Sequence, residues 1–222
     1  MTKMIPPAAR WRIAISKTNT AAILAPILCS YGFAYGLRNP PGFAWDPKNG
    51  RIFLTDIGQN TIEELDTLSA DANLGWKTWE GSFRFVDRAV SPDQQRSDPR
   101  VTYPIAEYAQ ADSLLQPQSA ASGLYVYRGS AIRQLANLVL WCDLPSGEMF
   151  YVSAERLPSG GQDTIRRILF NDGGTASTLL PIVRDKNVAQ GKNPASRVDL
   201  RLESGAGGQL FLLNKATASS EG

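Results

Sequence analysis

Residues 35–60 read YGLRNPPGFAWDPKNGRIFLTDIGQN. An Arg-Asn-Pro-Pro corner opens the stretch and an Asp-x-Gly-Gln-Asn corner closes it, with two short apolar segments and a D-P-x-x-G turn between them. Proline presets φ for turns and removes a backbone donor, and glycine accepts the left-handed backbone that tight turns require. The stretch therefore reads as a hairpin with a polar corner at each outer end. A plain surface hairpin needs few committed polar groups at its ends. The question is whether Arg38-Asn39 and Gly58-Gln59 meet.

The same pattern continues outward from Tyr31. "GLYVYRG", "LVLWCD", "EMFYVS", "TIRRILFND" and "QLFLLNK" are short apolar or alternating runs bounded by Gly, Pro, Asn, Asp or Ser, as strands are. No long stretch keeps a 3.6-residue apolar period. The chain has 19 glycines and 14 prolines, an excess over roughly 12% combined average usage that suits many turns. "DPKNGRIFLTD", "DLPSGEMFYVS" and "SGAGGQLFLLNK" echo one another, with a turn glycine at Gly50, Gly147 and Gly208. A recurring hairpin with irregular insertions is the mark of propeller blades, whereas a β-sandwich would explain the strands but not the echo. The expected class is all-β, and "SGAGG" at 204–208 is expected to be a hairpin turn because a strand follows it.

Composition excludes several chemistries. At 222 residues one domain is the default. Lys and Arg number 23 against 21 Asp and Glu, so no basic stripe calls for nucleic acid. There is no histidine, which removes Ser-His-Asp and Cys-His catalysis and every imidazole metal ligand. Two cysteines, Cys29 and Cys142, cannot form a four-thiolate zinc site. They could pair in an exported protein or stay as two buried thiols. G-x-G-x-x-G before a helix, the Walker A loop and H-E-x-x-H are all missing. Residues 1–34 stand apart: a basic lead precedes the apolar run Ala21–Cys29, broken by Pro26. That run is too short to span a membrane and resembles a secretory signal; "LAPILCS" distantly resembles a lipoprotein box. A divergent piece of the domain is the other reading, and the propeller-like part is expected to be 35–222.

Residues 35–81 resemble the glucose/sorbosone dehydrogenase family, soluble sugar dehydrogenases that use pyrroloquinoline quinone on a six-bladed β-propeller. The marks are G-L-R-N-P, the D-P-x-x-G turn, D-x-G-Q-N, the following E-E-x-D, and N-x-G-W. "YPIAEY", "GLYVYRG", "CDLPSGEMF" and "RVDLRLESGAGGQLFLLNK" extend the resemblance in order to residue 215. It implies a partial six-bladed propeller of roughly three to four blades. It implies that Arg38 lies beside substrate and cofactor, that Asn39 and Arg197 hold the cofactor, with Arg201 a lesser candidate, and that the Gly58 and Gln59 carbonyls bind a bridging calcium ion. A guanidinium suits quinone carbonyls and carboxylates, and calcium prefers hard oxygen ligands. The implied reaction oxidises an aldose C1 hydroxyl by hydride transfer to the quinone, in the periplasm or outside the cell.

The departures point the other way. The family's base is a histidine in an N-terminal half that these residues do not contain, and Gln110 stands where related sequences often carry histidine. A cofactor-binding lysine would fall near Pro145 or Ser146, and Leu74 replaces an aromatic. Loss of a general base costs roughly 10² to 10⁴ in rate, so the isolated chain is expected to be nearly inactive, either a truncated product or a half completed by a complementary chain or a second copy. A non-catalytic propeller module that binds a protein or carbohydrate partner is the alternative. Glu63, Glu64 and Asp66 suggest a second metal position, against which a solvated strand edge is the preferred reading.

Overall fold

The computed structural model describes residues 33–115, 119–205 and 208–214; residues 1–32, with Cys29 and the signal-like run, lie outside them. Among the described residues seventeen strands, β1–β17, form six sheets, five of them with antiparallel pairing throughout, and three of these carry the architecture below. The first complete sheet takes β2 (Gly42–Trp45), β3 (Ile52–Asp56), β4 (Ile62–Leu68) and β9 (Ala106–Ala109) in that order, and the second takes β10 (Ala120–Tyr127), β11 (Leu138–Leu144), β12 (Met149–Ser153) and β13 (Arg166–Ile168). A hairpin of β16 (Leu200–Ser204) and β17 (Leu210–Asn214) packs beyond them. This is a partial β-propeller: two complete blades and the opening hairpin of a third.

The count stays short of three complete blades because two connections consume chain. Between β4 and β9 lie β5 (Ala72–Asn73), which pairs in parallel with β1 (Ala34–Tyr35), and the small sheet β6 (Trp79–Glu80), β7 (Phe83–Val86) and β8 (Ala89–Gln95). Between β13 and β16 lie the hairpin β14 (Phe170–Asp172) and β15 (Thr175–Ser177) and a helix, α1 (Leu179–Ala189). The single run expected over "TIRRILFND" is thus two strands in two sheets. The helix was not legible in the apolar pattern because it is short, buries only Leu180, and carries Pro181 in its first turn, where the missing N–H costs nothing.

Facing blade surfaces bury the core. Phe53, Leu65, Ala106 and Tyr108 of the first blade meet Ala121, Val126, Trp141 and Phe150 of the second. The far side of the second blade, with Tyr127, Leu140, Cys142 and Met149, meets Leu180, Val198, Leu200 and Leu202. Each fully buried large apolar side chain stabilises the fold by about 1.5–3 kcal/mol. Cys142 is a buried free thiol whose pKa burial drives upward, which keeps it unreactive.

The repeated turn is real, but it marks turns and not blade positions. Gly50, Gly147 and Gly208 have φ of 74°, 73° and 77°. At Asp46–Arg51 and Asp143–Glu148 the same two backbone bonds close the turn, from glycine N–H to the Asp carbonyl and from Asp N–H to the residue after the glycine. The 205–209 turn, which joins β16 to β17 as expected, is one residue tighter. Gly50 and Gly208 join first to second strands, while Gly147 joins second to third, at the opposite end of the blade.

Candidate functional site

Strand direction places the polar corners at one end of the molecule. Register pairs Gly42 with Thr55 and Ile62 with Ala109, so residues 38–41, 57–61 and the loop starting at Gln110 share an end, called the mouth below. Ala120 pairs with Leu144, and the Val198 N–H donates to the Pro145 carbonyl at 3.2 Å. Residues 145–148 and Arg197 therefore lie at the mouth too. The opposite end is tied by Arg128, which donates to both carboxylate oxygens of buried Asp46 at 2.8 and 2.6 Å.

The two corners meet. Arg38 is half-buried; its Nε donates to Gln59 Oε1 at 3.0 Å and its Nη1 to the Ile57 carbonyl at 2.8 Å. Its guanidinium carbon lies 5.9 Å from the centre of the Trp76 ring, at the outer limit of a cation–π contact. Beneath it the buried Asp56 carboxylate accepts the backbone N–H of Arg38 at 2.7 Å and of Asn39 at 2.6 Å. Asp56 is thus the clamp that sets the first corner against the end of β3. Desolvation nevertheless raises its pKa to about 6, with the two N–H bonds and the Arg38 charge opposing.

A second carboxylate clamps the other corner. Glu80 Oε1 accepts three consecutive N–H groups, from Asn60, Thr61 and Ile62, at 3.1, 2.7 and 3.0 Å. Three converging amides form a nest for one negative oxygen. Gly58 is required here because a Cβ would stand 1.8 Å from the Ile62 carbonyl oxygen and 2.7 Å from Glu80 Oε1. The Gly58 carbonyl accepts only a long bond, 3.4 Å from Gln110 Nε2, and the Gln59 carbonyl takes none from a described residue. Gln110 gives its strong bond, 2.6 Å, to Glu63 Oε1, and the Ala121 N–H donates to Glu63 Oε2 at 2.7 Å.

Glu63, Glu64 and Asp66 are not a solvated strand edge. They are 0%, 7% and 1% exposed, because β4 is interior to its sheet and its faces are covered by the second blade, whose Ala121 N–H meets Glu63, and by the segment after β6, whose Gly81 N–H meets Glu64. Asp56, Glu64 and Glu107 sit opposite one another across three strands, and each holds backbone N–H groups: Glu64 takes Gly81, and Glu107 takes Ser82 and Gly161. Burial raises Glu63 to about 8, and burial with neighbouring carboxylates holds Glu64 and Asp66 well above their ordinary range. Among the described residues no three His, Cys, Asp or Glu side chains converge as a metal site.

Asn39 is exposed, with its side chain free of hydrogen bonds to described residues, and Arg197 is exposed at the mouth, with no bond to either corner. The missing lysine position is filled by Pro145 and by Ser146, whose hydroxyl donates to Asp143 Oδ1 at 2.9 Å. Leu74 is buried with Leu37 and Leu54. Trp76 belongs to the N-x-G-W mark without a role attached to it, and Glu80 carries no signal in the sequence, because no periodicity ties either to residues 38–62.

A model of the glucose/sorbosone dehydrogenase family matches residues 28–172. HIPL2 protein of Arabidopsis thaliana is 32% identical over 120 residues, 53% of this chain and 17% of that protein. HIPL1 protein of the same plant is 29% identical over 143 residues, 63% of this chain and 20% of that protein. The chain thus spans about a fifth of the curated relatives it matches. In fold it is similar to a solved glucose dehydrogenase, with TM-score 0.55 and 19% identity over 83% of this chain and 44% of that one. The soluble aldose sugar dehydrogenase of Escherichia coli in its apo form is similar too, with TM-score 0.51, 18% identity and the same coverage.

Proposed function

The chain belongs to the glucose/sorbosone dehydrogenase family, and from that membership we propose that it carries the binding half of a quinone-dependent sugar dehydrogenase site and lacks the proton-removing half. The contact of Arg38 with Gln59 carries this reading, since it joins the two motif corners into one mouth.

The groups present fit pyrroloquinoline quinone and calcium. The Gly58 and Gln59 carbonyls are hard oxygen donors with little other commitment, held in place by Glu80, and calcium accepts such carbonyls. Arg38 offers a compensated, oriented guanidinium, Asn39 an unspent amide and Arg197 an exposed cation at the same end. When bound, the quinone supplies a hydride acceptor that the calcium ion polarises. Arg38 would orient the reacting sugar hydroxyl and neutralise charge there, while Trp76 limits water on its other face. Proton removal from that hydroxyl needs a base, and these 222 residues hold no histidine. Gln110, whose amide is tied to Glu63, cannot take a proton.

An aldose sugar is the proposed substrate, a complementary propeller half or a second copy the proposed source of the base, and the periplasm or the cell exterior the proposed location. The test is calcium-dependent quenching of tryptophan fluorescence by pyrroloquinoline quinone, followed by dye reduction with glucose after an N-terminal half of a family member is added. Quenching that Arg38→Ala abolishes, with dye reduction only in the mixture, supports the reading. Absence of quinone binding even in the mixture sinks it and leaves a non-catalytic module that binds a carbohydrate or protein partner.

A further inference from the structure

The loop after β9 and the outer strands of the second blade enclose a half-open cavity of about 180 Å³. It is lined by the buried or half-buried Tyr108, Phe150, Leu115 and Ile165 on the inside and by Asp112, Leu114, Gln162 and Arg167 around the rim. Drug-sized sites begin near roughly 300 Å³, so this one suits a single small ring. None of the mouth residues Arg38, Asn39, Gly58, Gln59 and Arg197 lines it.

The rim chemistry selects the kind of ring. Arg167 pairs with Glu148 through two bonds of 2.8 Å, Nε to Oε2 and Nη2 to Oε1. Its charge is therefore already compensated, which removes the pull on an anion but leaves Nη1 as a donor. Asp112 spends Oδ1 on the Leu114 N–H at 2.9 Å and keeps its second oxygen as an acceptor. The Gln162 side chain is exposed, bonds to no described residue and offers both a donor and an acceptor. Inside, the Tyr108 and Phe150 rings lie 5.3 Å apart beside aliphatic side chains. An apolar floor with an amide, a spent guanidinium and an anion-repelling carboxylate at its rim matches a ring that shows C–H groups on its faces and hydroxyls around its edge.

We propose that the cavity between β9 and β12–β13 is a binding subsite for a neutral monosaccharide ring, separate from the mouth. It does not depend on the dehydrogenase reading. The test titrates the ¹⁵N-labelled 222-residue chain with methyl β-D-glucopyranoside, whose blocked anomeric carbon has no free hydroxyl to oxidise. The expected result is saturable shifts of the Gln162 side-chain amide and the Arg167 Nε–H, at a dissociation constant on the order of millimolar, without shifts at Arg38 or Gln59. Gln162→Ala, a change at an exposed residue, weakens binding several-fold, and Leu115→Trp fills the cavity and abolishes it. Shifts confined to the mouth, no shifts at all, or equal binding of cyclohexanol would overturn the proposal.

Discussion

Arg38 Nε and Gln59 Oε1 lie 3.0 Å apart although 21 residues separate them in sequence. Neither residue holds the other in place. The contact exists because Asp56 fixes the backbone at 38–39 and Glu80 fixes it at 60–62, so each corner reaches the mouth already shaped.

Removing the Asp56 carboxylate should open the first corner. Asp56→Ala leaves two N–H groups without an acceptor and is expected to destabilise the fold by about 2–6 kcal/mol, at roughly 1–3 kcal/mol for each unsatisfied buried group. Denaturant unfolding at pH 7 measures the loss, and a change below about 0.5 kcal/mol would show that the clamp is idle.

Glu80 admits a sharper comparison. Glu80→Gln keeps an oxygen for the nest and should cost less than about 1 kcal/mol, while Glu80→Ala exposes three donors and should cost about 2–3 kcal/mol. Gly58→Ala forces a methyl into the Ile62 carbonyl and is expected to cost at least about 2 kcal/mol. Equal effects of the Gln and Ala variants at position 80 would refute the nest.

Stability should fall as pH rises through the neutral range. Glu63, Asp56 and Asp143 titrate near 8, 6 and 6 in the folded chain, against ordinary values of 4.5, 3.8 and 3.8, with burial the largest cause for each. A carboxyl raised by folding is bound more tightly to its proton in the folded state. Its ionisation therefore costs folded stability from the unfolded value upward to the folded one. The window opens near pH 4 and runs to about pH 8 for Glu63, and Glu64 and Asp66, which burial also raises well above their ordinary range, add to the same decline. Glu63→Gln removes the Glu63 part while Gln110 can rotate its amide to meet the new side chain. Unfolding free energies measured at pH 5, 6, 7 and 8 should decline in the parent chain and decline less steeply between pH 6 and 8 in Glu63→Gln.

Trp141 is 1% exposed in the core between the two blades. Trp141→Phe should cost about 1–3 kcal/mol and Trp141→Ala about 3–5 kcal/mol. The loss comes chiefly from packing against the two blades, and calorimetric melting of both variants checks the order.

How much of this was legible beforehand depended on how local the cause was. The turns at Gly50, Gly147 and Gly208 follow from a backbone conformation that glycine accepts at no steric cost, so the strand-and-turn class, the hairpin at 204–208 and the motif corners could be read from residue order. The lack of histidine likewise settles, without coordinates, that no imidazole acts from within these residues. What the fold alone decided involves partners distant along the chain. Glu63, Glu64 and Asp66 look like a charged strand edge, and only interior placement of β4 between β3 and β9, with Ala121 of the second blade on one face and Gly81 on the other, encloses them. Glu80 serves a corner 18 to 20 residues before it, and the outer cavity draws on residues from both blades. Periodicity reports which face a residue occupies within its own strand; which element then covers that face is set by how sheets and loops pack, and that is a property of the folded chain.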